Sequence, residues 1–116
     1  MRVAVISDIH ANLHALEAVL AAIETAGVDA LWCLGDTVGY GPRPNECCDL
    51  VREASSLALV GNHDLAAIGE ISTADFSPLA LVSAEWTAAA ATSRHSTPTA
   101  TAWSRNQPAA VWVESP

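Results

Sequence analysis

The sequence contains no lysine, and its five arginines face thirteen acidic residues, giving a formal net charge of -8. Broad nucleic-acid surfaces and anionic membranes are bound by stripes of Lys and Arg, so neither is an expected partner. No apolar run approaches the roughly 20 residues that cross a bilayer. The apolar run near the N-terminus is also too short for a signal-peptide core. We therefore expect a cytoplasmic protein.

Cysteine is scarce as well, with three residues in the chain. Cys33 lies in a strand-like run and is expected to be a small buried hydrophobe. Cys47 and Cys48 are neighbours without ligand-spaced partners, which argues against a disulfide framework and a thiolate metal site. By contrast, 51% of the residues are apolar, enough for the core of one domain.

Strand-like and helix-like segments alternate along the first part of the chain. Strands are predicted at 3–6, 30–34 and 57–60, and helices at 13–26, 44–54 and 78–86. Asn12 is the expected N-cap and Gly27 the expected stop of the first helix. The unbroken apolarity of the first strand is typical of a strand buried on both faces of a parallel sheet. The alternation predicts an α/β fold with strand–helix–strand–helix–strand order.

The composition changes near Thr87. Residues 87–116 are mostly Ala, Thr, Ser and Pro and carry a single acid, Glu114. We predict an ordered unit over 1–86 and an irregular tail over 87–116. A frameshift or truncation of the reading frame is our hypothesis for this change.

Each predicted strand ends in a short polar motif. The motifs are Asp8-Ile9-His10, Gly35-Asp36 and Gly61-Asn62-His63-Asp64. In an open parallel sheet the carboxyl ends of the strands lie along one edge, where ligands bind. We therefore expect the three motifs to converge on one site.

The side chains expected there suit a pair of divalent metal ions. Asp8, His10, Asp36 and Asn62 offer carboxylate, imidazole and amide ligands, a set that favours Mn²⁺, Fe, Zn²⁺ or Co²⁺ over a thiophilic ion. Asp36 has two oxygens and could bridge both ions. Such a pair binds phosphoryl oxygens and activates a water as hydroxide to attack phosphorus. His63 is positioned to protonate the leaving alkoxide as a general acid.

Each motif also has an ordinary alternative. Asp8 could cap a helix beside a solvated histidine, Gly-Asp is common in turns, and Gly-Asn-His-Asp could be a simple loop. The three motifs in this order, each after a predicted strand, favour the metal site.

Other candidate side chains are weaker. His14 is expected on the surface of the first helix, and His95 in the tail is not expected to be a ligand. Trp32 is predicted to lie in the core. Tyr40, between two glycines, could line a substrate pocket or be an exposed loop aromatic.

Together the three motifs resemble the first signature blocks of the calcineurin-like metallophosphoesterases. The stretch 1–86 is similar to a subgroup of small bacterial and archaeal phosphodiesterases. The resemblance implies the N-terminal half of an α/β sandwich, a two-sheet β-sandwich flanked by helices, here truncated. It implies two metal ions, with Mn expected and Fe, Zn, Co or Ni as alternatives. By resemblance, Asp8 and His10 hold one ion, Asp36 bridges, Asn62 holds the second, and His63 is the proton donor.

The sequence departs from this family in its later part. The family has further histidine ligands in a downstream Gly-His-x-His block, whereas only His95 follows His63 here, and Gly69 is the last glycine. We expect a metal-dependent hydrolase acting on a small phosphate mono- or diester. The alternative is an inactive fragment that binds metal weakly or self-associates through an exposed apolar face. A nucleotide-binding module without hydrolysis is disfavoured, because no glycine-rich loop follows the first strand.

Overall fold

The protein is an α/β structure built on a small parallel sheet. The computed structural model describes residues 1–92, so His95 and residues 93–116 of the predicted tail lie outside the described residues. The elements are β1 (Val3–Ile6), α1 (Leu13–Ala26), β2 (Ala30–Cys33), α2 (Pro44–Ala54), β3 (Leu57–Ala58), α3 (Asn62–Ala67) and α4 (Pro78–Thr92). The strands pair in parallel in the order β1-β2-β3. This confirms the fold class predicted from the sequence.

Helix α1 has the two ends that the sequence predicted. The Asn12 side chain accepts a hydrogen bond from the Ala15 N–H at 3.1 Å, which satisfies one of the unpaired donors of the first turn. Gly27 ends the helix in the left-handed conformation, with φ +60°, which costs a glycine no Cβ clash. The length of α1 is therefore set by local sequence.

The core lies between the sheet and one layer of helices. Both crossovers step in the same direction along the sheet, and right-handed crossovers then place α1 and α2 on the same face. The buried core residues come from helices α1 and α2 and from strands β2 and β3: Leu16, Cys33, Cys47, Val51 and Ala58. Cys33 is fully buried, as predicted.

Two burial predictions were wrong, and both concern the other face of the sheet. Trp32 was expected in the core and is 36% exposed, and Val5 of β1, expected to be buried on both faces, is 54% exposed. Leu34, directly after β2, is 45% exposed. Alternate residues of a strand point to opposite faces, and helices α1 and α2 cover only one of these faces. Val5, Trp32 and Leu34 are called the open sheet face below.

The structure also corrects several predicted boundaries. Strand β3 ends at Ala58, earlier than predicted, and Asn62–Ala67 form a short helix, α3, that the sequence did not predict. Helix α4 continues past Trp86 to Thr92, so residues 87–92 of the predicted irregular tail are helical. Within residues 1–92, no helix has the length and apolarity needed to cross a membrane.

Candidate metal centre

The loops after β1 and β2 are joined by backbone hydrogen bonds. Asp8 N–H donates to the Gly35 carbonyl at 3.1 Å, and His10 N–H donates to the Asp36 carbonyl at 3.0 Å. The Ala11 N–H donates to the Thr37 carbonyl at 2.9 Å. The first two sequence motifs therefore lie side by side at the carboxyl edge of the sheet, as expected for parallel strands.

Three predicted ligands from these loops come together. One donor atom from each of Asp8, His10 and Asp36 lies within 4.8 Å of the others. The Asp8 Oδ1 to His10 Nε2 distance is 3.6 Å. Two ligands at about 2.1 Å from one ion are separated by about 3 to 4.2 Å, so this spacing fits a shared divalent cation. The three side chains could hold one ion after small adjustments.

His10 is held in the tautomer that a metal ligand needs. Its Nδ1 lies 3.1 Å from the Val38 carbonyl oxygen. A carbonyl can only accept, so Nδ1 carries the proton and the neutral ring has its lone pair on Nε2. Nε2 is the nitrogen that faces Asp8. Metal-bound histidines commonly have this second hydrogen bond to a carbonyl or carboxylate.

The backbone at this edge is strained. Five residues other than glycine have positive φ angles between 49° and 60°, all in the two loops: Asp8, His10, Ala11, Asp36 and Tyr40. Left-handed conformations of non-glycine residues are uncommon and cluster at functional sites. Positive φ at Asp8 and at His10 departs from the regular strand alternation that would aim Asp-x-His side chains at opposite faces. This turn lets the Asp8 and His10 side chains reach the same side of the sheet edge.

The third motif packs against Asp36. The His63 N–H donates to Asp36 Oδ1 at 3.0 Å, and the Gly61 backbone lies so close to the same carboxylate that a Cβ there would overlap it. Asn62 is the exposed first residue of α3. The motif thus reaches the same edge of the sheet as Asp36, while the ligand role of the Asn62 side chain stays a prediction.

Asp64 is a site residue to which the sequence analysis assigned no role. It is 5% exposed, and its carboxylate accepts the Val38 N–H at 3.0 Å and the Gly61 N–H at 2.9 Å. Burial raises the pKa of Asp64, and the backbone donors at Gly61 and Val38 lower it in part. The sequence feature that could have predicted this role is the position of Asp64 three residues after Gly61, because an acid at the third residue of a helix often accepts a hydrogen bond from the N-cap N–H.

His63, the predicted proton donor, is buried among aromatic rings. Its ring centroid lies 5.0 Å from that of His10, 4.8 Å from Tyr40 and 5.3 Å from Phe76. Its buried Nδ1 has no hydrogen-bond partner among the described residues. Gly39, with φ +91°, passes so close that a Cβ would lie 2.7 Å from that nitrogen. The ring is therefore fixed beside the three grouped ligands.

His14 has no part in this site. Its side chain is 93% exposed, and Nδ1 lies 3.9 Å from Glu17 on the same helix. The prediction of a surface histidine is confirmed.

The fold and the three grouped ligands define a candidate metal centre at the carboxyl edge of a parallel sheet, and the comparison with known families gives the class of protein. The family model of the calcineurin-like phosphoesterases matches residues 1–108. The chain belongs to this family. The match continues past the predicted boundary at residue 86, although the nature of the tail stays a prediction.

Two relatives share the first part of the chain. The uncharacterized protein MJ0912 of Methanocaldococcus jannaschii is 48% identical over 85 residues, which are 73% of this chain and 35% of that protein. A crystal structure of a metallophosphoesterase from Sphaerobacter thermophilus is 50% identical, with a TM-score of 0.60, and the match covers 77% of this chain and 36% of that one. The chain thus spans about a third of the length of these relatives.

Proposed function

We propose that the protein is a metal-dependent phosphoesterase that hydrolyses a small phosphate mono- or diester. The observation that carries the proposal is the grouping of Asp8, His10 and Asp36. In this group His10 Nδ1 donates its proton to the Val38 carbonyl, which leaves Nε2 free to bind a metal ion. This arrangement presents two carboxylates and an imidazole lone pair to one point. A set of this kind suits Mn²⁺, Fe, Zn²⁺ or Co²⁺. The family resemblance makes Mn²⁺ the first choice, with Fe, Zn, Co or Ni as alternatives.

Each side chain has a part in the proposed reaction. Asp8 and His10 would hold one ion, Asp36 would bridge to a second, and Asn62 would bind that second ion. Bound ions would neutralise charge on the phosphoryl group and lower the pKa of a water molecule. His63 would give a proton to the leaving oxygen, and its position beside His10 supports this role.

The first experiment is hydrolysis of bis(p-nitrophenyl) phosphate by the purified full chain, with and without Mn²⁺. We expect activity that needs the metal and falls at least about 100-fold in Asp36→Asn, since a lost ligand removes several kcal/mol of charge stabilisation. Asn at this position keeps an oxygen that can accept the His63 N–H, so the local fold is preserved while the anionic ligand is lost.

Asp49→Asn is the matched control. Asp49 lies on α2, 47% exposed and 3.7 Å from Arg52, and its change should leave the rate within about twofold. Metal-independent turnover, or equal rates in wild type and Asp36→Asn, would reject the proposed function.

A second candidate is an inactive chain that binds metal weakly and associates through the open sheet face. The exposure of Val5, Trp32 and Leu34 favours this candidate, because contiguous exposed apolar surface commonly marks an interaction site. Metal binding without turnover in the first experiment would support it over the phosphoesterase.

A further inference from the structure

Tyr40 stands beside the candidate metal centre with half of its surface open. Its ring centroid lies 5.0 Å from that of His10 and 4.8 Å from that of His63. The ring meets His10 at 80° and His63 at 45°, so neither histidine stacks flat on it. The side chain is 50% exposed. A planar group could therefore lie against Tyr40 while its phosphate is held at the candidate metal centre.

The loop holds this ring in place at a conformational cost. Tyr40 has φ +60°, an uncommon conformation for an aromatic residue. Its N–H donates to Ser83 Oγ on α4, and the Gly41 N–H donates to the His10 carbonyl at 3.0 Å. Because the Tyr40 ring is half exposed, its burial offsets little of the free energy that the strained backbone costs. Strain held by the surrounding structure at a site is a pointer to function.

The wall next to Tyr40 is aromatic. Phe76 lies on another side of His63, with ring centroids 5.3 Å apart. Tyr40, His63 and Phe76 thus form a continuous row of rings beside the grouped ligands.

Positive side chains are committed elsewhere in the described part of the chain. Arg2 donates to the Gly27 carbonyl at 2.9 Å, at the end of α1. Arg43 lies 3.5 Å from Glu46, and Arg52 lies 3.7 Å from Asp49. Within the described residues these three arginines have oxygen partners, whereas the rings of Tyr40 and His63 lie beside the grouped ligands, where the part of the substrate that does not react would sit.

We infer that Tyr40 forms an aromatic subsite, and that the substrate is a phosphoester carrying a planar aromatic group, either a nucleobase or an aryl ring. The inference rests on the proposed function, because it needs the phosphate to be held by the metal centre. It adds a substrate class that the metal ligands by themselves leave open. Stacking on an aromatic side chain is tolerant of the identity of the ring, since every nucleobase has a π-face.

Calorimetry with phosphonates tests the subsite without turnover, because the carbon–phosphorus bond resists hydrolysis. The probes for the Mn²⁺-loaded protein are methylphosphonate, phenylphosphonate and the phosphonate analogue of adenosine monophosphate. We expect one or both aromatic probes to bind about tenfold more tightly than methylphosphonate, as one stacked ring contributes. The tighter of the two identifies an aryl or a nucleoside substrate.

Two variants at Tyr40 separate ring stacking from bulk. Tyr40→Phe keeps the ring and should keep the preference, whereas Tyr40→Leu keeps apolar volume and should bind all three probes within about twofold of one another. Circular dichroism melts check that both variants are folded.

The outcomes distinguish failure of the Tyr40 subsite from failure of the proposed phosphoesterase function. Equal affinity of wild type for methyl and aromatic probes, or a preference that survives in Tyr40→Leu, would overturn the subsite and leave the phosphoesterase standing. If wild type takes up no Mn²⁺ and binds none of the probes, the proposed function fails and the subsite fails with it.

Discussion

At the scale of single residues, the site depends on a chain of hydrogen bonds through the backbone of one residue, Val38. Asp64 accepts the Val38 N–H at 3.0 Å, and the Val38 carbonyl lies 3.1 Å from His10 Nδ1. The same carboxylate accepts the Gly61 N–H at 2.9 Å. Asp64 therefore connects the loop that orients His10 to the motif that packs on Asp36. A residue with no expected role in metal binding fixes the geometry of two residues that have one.

Asp64→Asn is predicted to weaken metal binding as well as stability. Val38 donates to Asp64 Oδ1 and Gly61 donates to Oδ2. An amide has an oxygen at only one of these two positions, so it keeps one bond and places an NH₂ group against the other donor. An unsatisfied buried donor costs about 1–3 kcal/mol of unfolding free energy. Displaced outer hydrogen bonds weaken metal binding about 10- to 100-fold. Urea melts and Mn²⁺ calorimetry measure the two effects.

His10 provides the readout that a purely structural role would not change. The nitrogen-15 spectrum of wild type should show the proton on Nδ1, and the Asp64→Asn spectrum should show a mixture of tautomers. A variant that loses stability but keeps both the tautomer and the Mn²⁺ affinity would limit Asp64 to a structural role.

At the scale of elements, the first and third motifs each follow a strand and are fixed by the helix that comes next. The Asn12 cap of helix α1 lies two residues after His10, and α3 begins at Asn62 with the Asp64 carboxylate accepting a hydrogen bond from the Gly61 N–H. Helix α2 instead anchors the sheet, with Cys47 and Val51 fully buried against Cys33 and Ala58.

The thiols of α2 predict a loss of stability at alkaline pH. Burial raises the pKa of Cys47 to about 11 and that of Cys48 to about 12, from an ordinary value of 9.0. The folded state favours the protonated thiols, so their stabilisation is complete below pH 9 and declines as the pH rises from 9 toward 12. For the fully buried Cys47, this amounts to about 2 kcal/mol between pH 8 and pH 10.5.

Cys47→Val isolates the loss of stability caused by ionisation of the Cys47 thiol, because valine is apolar, of similar bulk and does not titrate. Urea melts at the two pH values should show wild type losing about 2 kcal/mol more than the variant. Equal losses of unfolding free energy in both proteins would mean that the Cys47 thiol does not cause the loss of stability at alkaline pH.

At the scale of the whole molecule, the fold is one-sided within the described residues. Helices α1 and α2 cover one face of the sheet, while Val5, Trp32 and Leu34 remain exposed on the other. The chain spans about a third of the length of its relatives. A sheet with one apolar face open to water is expected to bury it against a partner surface.

We predict that the isolated chain self-associates through the open sheet face. Sedimentation velocity should show concentration-dependent oligomers in wild type, and replacing Val5 and Trp32 with threonine should shift the population toward monomer. Threonine keeps β propensity while it removes apolar area. The same two substitutions leave the metal ligands in place, so Mn²⁺ affinity serves as the control for folding. A wild type that sediments as a monomer at all concentrations would contradict the prediction.

The sequence by itself determined the features that depend on local chemistry. The Asn12 cap and the Gly27 stop fixed α1, the apolar runs fixed the order of the strands, and the polar motifs after them indicated one edge of a parallel sheet. These signals are readable because capping, φ preference and strand ends act over a few residues.

Tertiary structure alone decided the features that depend on contact between distant segments. Trp32 reads as a core residue in sequence, yet it is 36% exposed, because hydrophobicity does not tell which face a helix will cover. The His10 tautomer depends on Val38, and the burial of Asp64 depends on the loop that Val38 belongs to. Positive φ at Asp8 and at His10 is imposed by pairing with the loop after β2. The ligands were therefore predictable as residue types, whereas their geometry came from segments more than 20 residues apart.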